Sequence, residues 1–107
     1  MYLIRGGDEK FSQYSPEEMQ SHMQDWQKWM EHLNATGHEA SGKRLDTRGR
    51  VVHQKGALIT DGPFMEGKEL VGGFIIITAE DEAEAIELSK GCPAFETDST
   101  IEVRPVV

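Results

Sequence analysis

Leu70-Val71-Gly72-Gly73-Phe74-Ile75-Ile76-Ile77-Thr78 is the stretch that decides the fold. Side chains of a strand alternate between its two faces, so Phe74 and Ile76 point one way and Ile75 and Ile77 the other. Both faces of this strand therefore require burial. Its entry through Gly72-Gly73 marks a bulge or a close backbone approach, for packing or for a ligand.

Upstream, Tyr2-Leu3-Ile4 is a strand-sized run ended by Gly6-Gly7, and residues 6–14 read as a polar loop. Ser15-Pro16-Glu17-Glu18 then predicts a helix start, with a Ser N-cap, Pro at the first helical position and Glu closing a capping box. Met19, Met23, Trp26, Met30 and Leu33 follow at spacings that keep them within a band about 80° wide, and Gly37 supplies the stop. Ser41–Leu45 and Val51–His53 read as short strands joined by the polar turn Asp46-Thr47-Arg48-Gly49. Ala57–Thr60 reads as another strand, and Asp61-Gly62-Pro63-Phe64 as a turn. Downstream, Thr78-Ala79-Glu80-Asp81 resembles a second capping box leading a helix to about Lys90, stopped by Gly91. Ile101-Glu102-Val103-Arg104 alternates as a last strand, with Pro105 marking an edge or a strand end.

The order β, α, a group of β, α, β is that of a ferredoxin-like α+β sandwich, an antiparallel sheet with two helices on one face. One domain spans residues 1–107. Two helices on one face leave the other face of the Phe74–Ile77 strand bare, and a second copy of the chain is the simplest cover. A homodimer through sheet faces is thus expected.

Composition narrows the partners. The 107 residues carry a net charge of −8, which disfavours nucleic acid and anionic lipid. No apolar run reaches the length of a membrane span, and the N-terminus lacks the basic and apolar regions of a signal peptide. The single cysteine forms no internal disulfide. A soluble cytoplasmic domain is expected. Its four histidines lack short paired spacing, and phosphate-cradling glycine loops, serine elbows and dinucleotide fingerprints do not occur, so neither metal nor cofactor is expected.

Asp61-Gly62-Pro63-Phe64, Glu66, Lys68-Glu69, Gly72-Gly73-Phe74, Gly91-Cys92-Pro93 and Ile101–Pro105, in this order, resemble the YCII-related family in its DGPF branch. The resemblance covers essentially the whole chain. It implies a ferredoxin-like dimeric α+β barrel. It says little about activity: some relatives resemble small-molecule lyases or dehydrochlorinases, and others are associated with extracytoplasmic-function sigma factors. It also implies an active-site histidine on the first helix, matched by His22, acting with a late acidic residue before a proline. Here that acidic position holds Cys92, before Pro93.

His22 lies about 60° from Met19 on the helix wheel, at the margin of the apolar stripe, so it borders the core and faces the space between helix and sheet. It is either a half-buried helix histidine bonded to a neighbour or a ligand-facing acid/base. Cys92, at a helix C-terminus, is a poor substitute acid and a poor nucleophile. Asp61 is the expected replacement carboxylate for His22, with Glu66 behind it; the alternative is that Asp61 only fixes its own turn. Phe64, Glu66 and Lys68 are candidate ligand-binding residues of that loop, against inward packing of Phe64 and a solvated Glu66–Lys68 pair. Trp26 is a candidate platform for an aromatic ligand or, at helical spacing with Trp29, part of the core. Lys43, Arg44, Arg48, Arg50 and Lys55 gather charge on one segment, for a small anion, an acidic partner or water. Two functions follow: a cofactor-free small-molecule enzyme of lyase or isomerase type, with acid–base chemistry in a cleft between the first long helix and the sheet, or a ligand- or protein-binding regulatory module without catalysis.

Overall fold

The computed structural model describes residues 1–62 and 69–107. Strand β1 (Tyr2–Arg5) leads into a short helix α1 (Asp8–Ser12) and the long helix α2 (Pro16–Ala35). Then come β2 (Ser41–Arg44), β3 (Gly49–His53), β4 (Leu58–Gly62), β5 (Val71–Ile76), α3 (Glu82–Ser89) and β6 (Thr100–Val103). Four strands form one antiparallel sheet in the order β2-β5-β1-β6, the ferredoxin-like arrangement, with β6 at an edge.

The face that carries the core follows from register. Tyr2 lies opposite both Ile75 and Val103, and Ile4 opposite both Gly73 and Ile101, so these side chains share one face. Tyr2 is fully buried there; its ring packs beside Trp29 of α2 and its hydroxyl donates to the Ala85 carbonyl of α3. Both helices thus cover the same face. On the other face Leu3 and Phe74 are half-buried and Ile76 is 38% exposed.

The start of α2 is built as its sequence prescribes. Glu18 N–H donates to Ser15 Oγ at 3.1 Å and Ser15 N–H to the Glu18 carboxylate at 3.3 Å. Gly37 ends the helix at φ 86°, with His38 N–H bonded to the Leu33 carbonyl and Gly37 N–H to that of Asn34. The buried face is rotated from the expected stripe, however. His22, Trp26, Trp29 and Leu33 fall within about 60° of one another, whereas Met23 is 52% exposed. A histidine replaces a methionine in the packed face because its ring nitrogens have partners.

Further expectations are corrected. Residues 8–12 form a helix rather than polar loop; five residues are too few for periodicity to register. Three helices result among the described residues, not two. Ser41–Arg44 pairs with β5, while Gly49–His53 pairs with Leu58–Gly62 in a separate two-stranded sheet, so Asp46–Gly49 links two sheets instead of turning a hairpin. Asp46 fixes that bend, accepting from the backbone N–H and guanidinium of Arg48; chiefly through the side-chain bond, Arg48 holds the carboxyl down to about 2. Asp61 and Gly62 are strand residues opposite Arg50 and Gly49. Helix α3 is capped by Asp81, which accepts from Glu84 N–H at 2.8 Å; Thr78 instead donates to Glu39. Among the described residues the sheet stays open and closes no barrel.

Gly42 shows why glycine is needed in β2. A Cβ there collides with the Phe74 carbonyl oxygen of the paired strand, and strand backbone cannot step aside without losing its ladder. Gly42→Ala is expected to lower unfolding free energy by roughly 1–3 kcal/mol, read as a lower urea midpoint with unchanged slope; an unaltered midpoint contradicts this packing.

Candidate functional site

A cavity of about 260 Å³ lies between α1 and α2 on one side and β1, β2 and β5 on the other. Its walls are mostly apolar: Ile4, Phe11, Met30 and Ile75 line it, with Trp26 and His22. The cleft expected between the long helix and the sheet is present.

His22 is 5% exposed, and three aromatic rings surround it. Phe11 and Tyr14 approach edge-on with centroids at 5.9 and 5.5 Å, and Trp26, one turn along α2, lies perpendicular at 6.3 Å. Nδ1 lies 2.6 Å from a carboxylate oxygen of Glu96, and the Trp26 indole N–H donates to Nε2 at 3.0 Å. These bonds fix the tautomer. Indole N–H is a donor only, so Nε2 is the acceptor and Nδ1 carries the proton it donates to Glu96. His22 is neutral in this arrangement, since a proton on Nε2 would face the indole N–H.

Glu96 is placed by a 3₁₀ turn, Pro93–Thr97, that begins with Pro and ends at Asp98 in the left-handed region at φ 59°. Thr97 Oγ1 donates to the Ala94 carbonyl inside that turn. Glu96 side-chain exposure is 43% against 6% for His22, so the carboxylate joins a buried ring to the surface. The acid expected before Pro93 is thus supplied three residues after it. One turn of 3₁₀ helix separates i from i+3, and that spacing from Pro93 was the signal available in the sequence. Phe11 and Tyr14 were also overlooked, as the only aromatic residues in a segment read as polar loop.

Asp61 does not reach His22, whose two nitrogens are taken by Glu96 and Trp26. It stands on β4, mostly exposed, 3.5 Å from the Arg50 guanidinium, and borders a separate surface depression with Asp46 and Arg48. The Asp61–His22 partnership is therefore replaced by Glu96–His22. Phe64, Glu66 and Lys68 lie outside the described residues. Trp26 lines the cavity and touches His22, and Trp29 is core. Cys92 is buried, and burial pushes its thiol from 9.0 up to about 12. Among the described residues, no three His, Cys, Asp or Glu side chains gather as a metal site, and no helix is long and apolar enough to cross a membrane.

The model of one family, the YCII-related domain, matches residues 1–107. The chain belongs to that family. No curated protein matches it. Within this YCII-related domain, His22 of the long helix pairs with the carboxylate of Glu96, three residues after Pro93.

Two outcomes check this site. Glu96→Ala leaves a buried Nδ1–H without its partner and should cost about 1–3 kcal/mol in denaturant unfolding, while Asp61→Ala leaves the melting temperature unchanged; the reverse ranking contradicts the assignment. Cys92 should resist iodoacetamide at pH 8 until the protein unfolds. Because its folded pKa is raised, the thiol's contribution to stability is full below about pH 9 and is lost as pH rises toward 12. Melting curves between pH 9 and 12 read that loss.

Proposed function

We propose that this YCII-related domain, which we place in the DGPF branch on Asp61-Gly62-Pro63-Phe64, is a cytoplasmic, cofactor-free enzyme performing acid–base chemistry on a small molecule. The observation that carries this reading is the buried His22–Glu96 pair on the wall of an apolar cavity. When Trp26 turns its N–H aside, Nε2 takes a proton from the substrate. Glu96 then stabilises the imidazolium through Nδ1–H, and return of the Nε2 proton to the substrate restores the starting tautomer. The low polarity of the cavity strengthens that charge pairing.

A second reading has its own observation. The Trp26 N–H occupies the one basic lone pair of the ring, as suits a structural histidine in a binding module without catalysis. Deuterium exchange separates the two. A panel of small keto acids and unsaturated lactones is incubated with the protein in D₂O and followed by proton NMR. Loss of an α-proton signal, abolished in His22→Gln and retained in Asp61→Asn, supports the enzyme. Ligand line-broadening without any exchange supports the binding module.

We also propose a homodimer, in which a second copy covers the outer sheet face bearing Leu3, Phe74 and Ile76. Half-exposed apolar side chains on a sheet face favour such burial. Sedimentation at micromolar concentration should give twice the monomer mass for the native protein and the monomer mass for Ile76→Asp. A native monomer overturns the proposal.

A further inference from the structure

The basic segment noted in the sequence divides in the structure. Arg48 is bonded to Asp46 and Arg50 lies beside Asp61, both on the outer hairpin side. Arg44 stands apart from them. It occupies β2 opposite Gly73, on the sheet face that α2 covers, and lines the cavity. Its guanidinium carbon sits 4.2 Å over the Phe11 ring. Stacking engages the flat face of a guanidinium and leaves its edge N–H donors directed outward. Among the described residues no carboxylate pairs with it. Phe11 has Arg44 over its face and lies at 62° to the His22 ring with centroids 5.9 Å apart, so it contacts both the cation and the imidazole.

Charge and volume limit what the site takes. The chain as a whole is strongly acidic, yet the Arg44 guanidinium borders this cavity, where Asp8 is the one carboxylate of the lining among the described residues. At about 260 Å³ the cavity lies at the small end of ligand pockets and suits a body of one small ring. From these observations we infer that the ligand of this cavity is a small monocarboxylate with a flat apolar body, its carboxylate held on the edge of the Arg44 guanidinium and its body against Trp26 and Ile75. A planar carboxylate matches the guanidinium fork with two parallel bonds. A phosphate monoester brings nearly a second negative charge toward Asp8 and an acidic surface, so it is the weaker ligand. The inference rests on the reading of this cavity as the working site, but requires no catalysis.

The test uses benzoate, benzamide, benzylamine and phenyl phosphate as probes, with affinity taken from titration of the Trp26 indole N–H resonance. Benzoate should bind at least ten times more tightly than benzamide or phenyl phosphate, and benzylamine should not bind. Arg44→Gln should weaken benzoate at least tenfold and leave benzamide unchanged, with Arg44→Lys in between. His22→Gln should retain benzoate, which separates this inference from the catalytic one: absence of exchange in the native protein, with benzoate still bound, overturns catalysis alone. Equal affinity for benzoate and benzamide, indifference to Arg44→Gln, or no shift with benzoate overturns the carboxylate assignment.

Discussion

Burying an imidazole in the packed face of a helix is costly unless both nitrogens find partners, and that requirement organises the region around α2. One partner, Trp26, comes from the same helix at the spacing that places side chains above one another. The other, Glu96, comes from a turn 74 residues away and brings the segment before β6 against α2. Among the described residues, no buried side-chain nitrogen or oxygen lacks a partner. A network so complete rigidifies its surroundings, and it does so beside a cavity whose other walls are hydrocarbon.

The sheet supplies the opposite wall by means of small residues as much as large ones. Tyr2 and Ile75 fill the space beneath Trp29 and Leu33, so that end is solid core. Gly42 and Gly73, on the same face, have no side chain to fill the space beneath the other part of α2. The backbones of β2 and β5 approach closely there, which glycine alone permits. One sheet thus carries a packed half and a hollow half, divided by where the sequence places aromatic and glycine residues.

Much of this was legible from residue order. The capping box of α2, the two-sided strand Phe74–Ile77 and the glycine stop at Gly37 depend on neighbours within a few positions, and they fold as local chemistry dictates. The errors have a common cause. Asp61 looked like the acid for His22 because Asp-Gly-Pro suggests a turn beside a site, but strand pairing with Arg50 took it to the outer hairpin. Glu96 looked like an ordinary surface acid because its importance is a contact across the fold, which no local pattern encodes. The rotation of the buried face of α2 has the same origin: hydropathy ranks Met23 above His22, whereas a distant carboxylate makes His22 the better core residue.

The unequal exposure of the two members of the pair has a kinetic consequence. His22 is sealed by aromatic rings on one side and by the indole N–H on another, while the carboxylate of Glu96 reaches water. A charged ring can therefore pass its Nδ1 proton to bulk solvent through Glu96, whereas Nε2 is reached from the cavity side. Glu96 is then an exit as well as an anchor, and the rate at which it hands that proton to water sets how quickly a charged ring can be neutralised on that side.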